Sequence, residues 1–156
     1  MQIRASIKVQ RPGDAKAKLE TIAKGLRGPS KVKVGFPAGK APGDLISIAY
    51  WNHFGTSRGI PPRPFITTAM FKGRGELRSF ITAEAKKIVF AGNPTPMRYA
   101  LQNLGMKGQD MVQMQILSNM PPPNAPSTVQ QKGSSRTLVD TGRLVGSVTW
   151  AIDTKL

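Results

Sequence analysis

Three prolines in four positions, Pro61, Pro62 and Pro64, fix φ and withhold three backbone donors, so no helix or ladder strand continues through them. They close the stretch Tyr50-Trp51-Asn52-His53-Phe54-Gly55-Thr56-Ser57-Arg58-Gly59-Ile60-Pro61-Pro62-Arg63-Pro64-Phe65, which holds four of the chain's ten aromatic residues. Its first half, a short apolar run ending in Asn52-His53-Phe54-Gly55-Thr56, reads as a helix with a glycine stop. A rigid, aromatic, arginine-bearing segment of this kind suits docking against a partner better than it suits chemistry. An ordinary helix end followed by a proline-rich turn accounts for the composition equally well.

The rest of the chain divides around this block. Ile3, Ala5, Ile7 and Val9 alternate with polar residues, as in a half-buried strand. Pro12-Gly13-Asp14 offers a turn and cap before a helix from Ala15 to Leu26, whose stripe is Ala15, Leu19, Ile22, Ala23 and Leu26. Lys31 to Phe36 alternates again as a second strand, and Pro37 to Gly43 reads as a flexible loop. Asp44 is placed to cap a helix from Leu45 through Phe54. Thr67 to Phe71 fits a strand or a short helix, with Gly73 and Gly75 as a hinge or a local break before a helix from about Glu76 to Phe90. In Asn93-Pro94-Thr95-Pro96, Thr95 caps and Pro96 opens a last long helix to about Asn119. Its stripe is Met97, Leu101, Leu104, Met111, Met114 and Leu117, read as adaptable core in preference to a dedicated partner groove, and Gly105 and Gly108 mark a weakened, kinked middle. Met120 to Arg136 has too few large apolar residues to order itself. Asp140 is available as the cap of a short turn or helix, and Val148 to Ile152 reads as a final strand able to pair with an N-terminal one. The expected fold is a single α+β domain over residues 1–156: a small, mostly antiparallel sheet packed with two to four helices. Long extended loops and a flexible proline-rich arm at about 121–136 complete it.

Charge narrows the partners. The chain carries 23 Lys and Arg against 8 Asp and Glu, a formal net charge of +15. That favours a polyanionic partner, because neutralised phosphates release condensed counterions. Lys24, Arg27, Lys31, Lys33 and Lys40 form the longest acid-free basic sector, and the spread of cations fits a channel or broad face better than a sequence-reading helix. A solvated surface of a soluble basic protein is the plain alternative. Within an assembly of like subunits so much charge repels itself unless DNA or acidic neighbours offset it. A hydrophobic fraction of 39%, with 16 Gly and 13 Pro, indicates a modest core beside irregular arms. The absence of cysteine excludes disulfides and thiolate zinc sites. The first residues lack the apolar core of a secretion signal, and no segment approaches the roughly 20 apolar residues that span a bilayer. The expectation is assembly in the cytoplasm, away from membranes.

Catalytic constellations are missing from the pattern. His53 is the only histidine and stands at a helix end, where it more often binds a carbonyl or packs on aromatics. Asp14, Glu20, Asp44, Glu76, Glu84, Asp110, Asp140 and Asp153 show no metal-ligand spacing. Gly35-Phe36-Pro37-Ala38-Gly39-Lys40 lacks the spacing and hydroxyl of a phosphate loop. Asp140-Thr141-Gly142 matches an aspartic-protease triplet, but in one copy on a chain too short for two lobes. The expectation is no enzyme, no cofactor and no metal.

The run Trp51 to Thr56 followed by Ile60-Pro61-Pro62-Arg63-Pro64-Phe65-Ile66 resembles a signature of the neck and tail-completion (minor tail protein Z-like) proteins of long-tailed bacteriophages, "N-x-F/Y-G-T" before "I-P-x-R-P-F". Leu138-Val139-Asp140-Thr141-Gly142-Arg143-Leu144-Val145-Gly146-Ser147 resembles the same family's closing "L-x-D-T-G-x-L-x-x-S", which a long loop precedes. The resemblance implies a structural virion protein at the neck, assembled in the host cytoplasm. It would complete the tail and join it to the head connector within a homo-oligomeric ring, a hexamer or dodecamer, around the genomic DNA. Its neighbours would be other neck proteins, the tail terminator or the tail tube. Trp51, Phe54, Arg63, Phe65, Asp140 and Arg143 are then the fold or interface anchors. Lys31, Lys33, Lys40, Arg58, Lys72 and Arg74 are the candidates to face DNA in the lumen. The alternative is a stand-alone nucleic-acid-binding protein acting through charge without sequence readout.

Overall fold

A computed structural model describes residues 12–27, 29–37, 39–90 and 97–153. Along the chain these form α1 (Pro12–Leu26), β1 (Lys31–Gly35), α2 (Gly43–Phe54), α3 (Phe65–Phe90), α4 (Met97–Leu117), α5 (Pro126–Lys132), α6 (Arg143–Gly146) and β2 (Thr149–Asp153). The fold is α+β, with β1 and β2 as a two-stranded antiparallel sheet. It is more helical than the sequence pattern indicated, since α5 arises where irregular chain was expected, while α6 is the helical form of the short turn or helix expected after Asp140. The strand expected at Ile3–Val9 and the cap expected at Thr95-Pro96 lie outside the described residues.

The ribbon shows why its residues alternate. Val34 pairs with Trp150, Val32 with Ile152, Lys33 with Ala151 and Lys31 with Asp153. Successive side chains point to opposite faces, so Val32, Val34, Trp150 and Ile152 share one face while Lys31 and Lys33 share the other. The apolar face lies on α4 at Gly105 and Gly108. A Cβ at Gly105 would meet Trp150 Cδ2 at 2.6 Å, and one at Gly108 would meet Val34 Cγ2 at 2.9 Å. These glycines, expected to weaken and kink the helix, are the seat of the ribbon in a helix continuous from Met97 to Leu117.

A second glycine expectation fails for a related reason. Gly73 and Gly75, read as a hinge, lie inside the 26-residue α3. A Cβ at Gly73 would stand 2.5 Å from Met111 Sδ, so this residue lets α3 and α4 approach closely. Lys72 Nζ donates to Gln115 Oε1 at 3.2 Å, and Lys107 pairs with Glu76, which fixes the two helices antiparallel. Local propensity lost to helix–helix packing here.

Ala49, Phe65, Ala69, Val112, Ile116, Met120, Leu138, Leu144 and Val148 form the central core, with Val34, Phe36 and Met111 packed against it. On α4 the buried face runs through Leu101, Gly105, Gly108, Val112, Gln115 and Ile116. The expected stripe meets it only in part: Leu101 is buried and Met111 packs on the core, but Met114 is 68% exposed and Leu117 is also exposed, so the methionines are not simply core. The stripe of α1 likewise faces outward at Leu19 and Leu26.

The segment from Met120 to Arg136 is tied down at both ends. Met120 and Leu138 are buried. Asn119 Oδ1 accepts from the Thr137 amide at 2.8 Å and from Thr137 Oγ1 at 3.2 Å. Between them, Asn124 Nδ2 donates to the Arg136 carbonyl at 2.9 Å. Polar closure of the loop supplies what its few apolar residues do not. Proline at the start of α5 and left-handed Gly133 (φ 63°) at its end follow the usual helix punctuation, a signal that the reading of this segment by its composition passed over.

Candidate functional site

The first motif is a fold-back turn. Gly55 ends α2 at φ 77°, and a Cβ there would lie 2.9 Å from the Ile60 carbonyl. The Thr56 amide donates to that carbonyl at 2.9 Å, and the Ile60 amide donates to Thr56 Oγ1 at 3.3 Å. The Asn52 carbonyl then accepts from the Arg63 amide at 2.8 Å. Glycine, threonine and the prolines thus bend the chain back along α2 and deliver Phe65 to the start of α3. Phe65 is wholly buried, with its ring edge-on to His53 at 5.2 Å and to Phe36 at 6.4 Å.

The anchors expected from sequence separate into two groups. Phe65 and Arg63 are interior. Arg63, 4% exposed, donates from Nε to the Pro122 carbonyl at 2.9 Å and from Nη2 to the Pro123 carbonyl at 3.2 Å and Asn124 Oδ1 at 3.4 Å. Burial lowers its pKa below the ordinary arginine value, though a guanidinium remains charged. Trp51 and Phe54 instead face out from α2 with Tyr50, whose ring lies 4.8 Å from that of Phe54. On the opposite side of α2, Leu45, Ala49 and His53 are buried.

The second motif turns at Gly142 (φ 79°), which itself caps α6. Asp140 is exposed and makes no side-chain cap, so its expected role fails because glycine already takes that position. Asp44 was likewise expected to cap α2; Pro42 stands there, and Asp44 lies in the first turn, where its carboxylate favours the helix dipole. Asp44 Oδ2 accepts from Arg143 Nη2 at 3.0 Å and so joins α2 to the second motif.

Together the two motifs line one cleft of about 490 Å³. Asn52, Ile60 and Arg63 contribute from the first; Leu138, Asp140 and Arg143 contribute from the second. Leu138 sits in the left-handed region at φ 60°, a costly conformation for leucine, held by burial. Asn124 and Lys132 complete the lining from the segment Arg63 pins. Sequence reasoning missed both, because it left that segment without structure.

The expected lumen residues do not form one patch. Lys31 and Lys33 project from the outer face of the ribbon, and Lys33 Nζ pairs with Asp153 at 2.9 Å. Lys40 Nζ donates to the Trp150 carbonyl at 3.0 Å and lies over its ring at 5.6 Å. Lys72 belongs to the α3–α4 groove, Arg74 stacks on Phe71 at 4.6 Å, and Arg58 lies in the exposed turn before Ile60. Four of these cations thus serve contacts within the chain.

His53 is built into the interior. Its Nε2 lies 3.1 Å from Thr67 Oγ1, and its buried Nδ1 has no hydrogen-bond partner among the described residues. Desolvation lowers its pKa below 6.5. The neutral ring is therefore favoured in the folded state, and the resulting stability is present above the unfolded pKa and lost as pH falls through the folded one. Denaturant midpoints should drop as pH is lowered below about 6.5, the ordinary histidine value. With no second histidine in the chain, His53→Gln should remove this component; an unchanged profile would contradict the assignment.

Among the described residues no three carboxylate or histidine side chains gather as a metal site, and no helix is long and apolar enough to cross a membrane. No family model, curated protein or solved structure matches the chain.

Proposed function

We propose that this chain is a structural protein of the neck of a long-tailed bacteriophage, one copy in an oligomeric ring that completes the tail and joins it to the head connector around the DNA path. The observation that carries the reading is the convergence of the two motifs that resemble that family: they lie far apart in sequence, yet they line one cleft and are tied by Asp44–Arg143. The outward Tyr50, Trp51 and Phe54 support it, since large aromatics displayed on a rigid helix are typical binding anchors. The net charge of +15 supports a DNA-bearing position, with Lys31 and Lys33 on the outer ribbon face as the leading lumen candidates. The role is geometric and non-catalytic, and its site of action is the virion.

The test is the solution mass of the purified protein, alone and with short duplex DNA, beside its assembly onto isolated tails. A DNA-independent ring or binding to tails is the expected result. A monomer or dimer that binds DNA with a steep salt dependence and ignores tails would replace this reading with the stand-alone nucleic-acid-binding one. In phage, Trp51→Ser with Phe54→Ser should leave heads and tails unjoined while the protein stays folded, because both side chains are already exposed. Normal infectious particles would refute that assignment.

A further inference from the structure

Among the described residues, the cleft between the motifs is lined by a buried cation that has no ion-pair partner. Arg63 is 4% exposed, yet its acceptors are two backbone carbonyls and an amide oxygen, all neutral. Among the described residues no carboxylate pairs with it, and no hydrogen bond engages Nη1. A buried cation without an opposite charge is costly unless something outside the chain completes it. Lys132 Nζ also lines the cleft and, among the described residues, bonds only the Arg136 carbonyl, at 3.1 Å. Asp140 also lines the cleft and forms no ion pair among the described residues, and Asp44 is engaged with Arg143. Beside these charges, Leu45, Ile48 and Ile60 supply an apolar wall.

We propose that this cleft is a docking site for an extended acidic peptide segment of a partner protein, with a Glu or Asp carboxylate on Arg63 and Lys132 and a neighbouring apolar side chain against Leu45, Ile48 and Ile60. The volume of about 490 Å³ suits a few residues of extended chain. The one amino group of Arg63 left free, Nη1, can donate to a carboxylate oxygen, and such charge-assisted bonds are roughly twice as strong as neutral ones. The recessed position of Arg63 selects a slender side chain over a duplex, whose phosphates are met by protruding cations. The apolar wall has nothing to gain from a phosphodiester backbone. This inference does not depend on where in a particle, or in a cell, the chain works.

The experiment is an NMR titration of the full-length protein with a capped pentapeptide alternating leucine and glutamate. Its glutamine twin, inorganic phosphate and a short DNA duplex are run alongside. Expected are saturable shifts of the Asn52, Ile60, Arg63, Asn124 and Thr141 amides with the glutamate peptide, and affinity about tenfold weaker for the twin. Lys132→Glu should weaken the glutamate peptide by a further factor of about five to ten while the remaining spectrum stays superimposable. Arg63→Gln should abolish binding, and Lys132→Glu carries the test if that variant does not fold. Equal binding of the twin, the same shifts from phosphate or duplex, or no shift at these amides would each overturn the proposal.

Discussion

Phe65→Ala should cost about 3–5 kcal/mol, the range for truncating a fully buried phenylalanine. Phe65 has no exposed surface and is the meeting point of three elements. Its ring meets His53 from α2 and Phe36 from the chain after β1, and it opens α3 beside Ala69 in the same core. The residue is not free to relax into the space it leaves, because Pro64 precedes it and the Phe65 amide donates to the Arg63 carbonyl at 2.7 Å. Collapse of the cavity would have to shift α2 against α3, and the His53–Thr67 contact at 3.1 Å already holds their spacing. For a domain of this size, a loss of this magnitude lowers the thermal midpoint by on the order of 6–20 °C. Calorimetry or a circular-dichroism melt decides the matter. A drop of less than about 1 kcal/mol would mean that Phe65 is not the centre of the core.

That centre was legible in the sequence because rigid residues leave little choice. Prolines and glycines fix dihedrals whatever surrounds them, so the α2 stop at Gly55 and the break through Pro61, Pro62 and Pro64 followed from local chemistry. The ribbon was legible too: a period of two survives any context, and β1 and β2 pair antiparallel as that pattern allowed. What could not be read was which partner each apolar face meets. Leu19 and Met114 stand at helical spacing, yet both are more than half exposed. Capping failed for a different reason: Asp44 and Asp140 are competent caps, but Pro42 and Gly142 had already taken those positions. Within the candidate site, Arg63 and Arg143 were found from their motifs. Asn124 joins them through a hydrogen bond to Arg63 that spans roughly sixty residues, and Lys132 through the local fold of the same segment, neither of which a local pattern encodes.

Gly105→Val should destabilise the fold by about 3 kcal/mol, at the upper end of the cost of overpacking. A single Cβ at this position would stand 2.6 Å from Trp150 Cδ2, 2.7 Å from Cγ and 2.8 Å from Cε3, and valine adds two methyl groups beyond it. The indole cannot swing away cheaply. Trp150 lies within β2, paired with Val34, and Val34 in turn rests on Gly108. Lys40 holds the Trp150 carbonyl and covers the ring from outside. Moving the ring therefore means lifting both strands from α4. Gly75 provides the control: it lies in α3, and a Cβ there meets nothing within 4 Å. Gly75→Ala should stabilise by up to about 1 kcal/mol, because only the helix propensity changes. The same type of residue in two neighbouring helices is thus expected to give shifts of opposite sign. If Gly105→Val left stability unchanged, the ribbon would not rest on this face of α4, and the route from the second motif through α6 and β2 into the core would have to be redrawn.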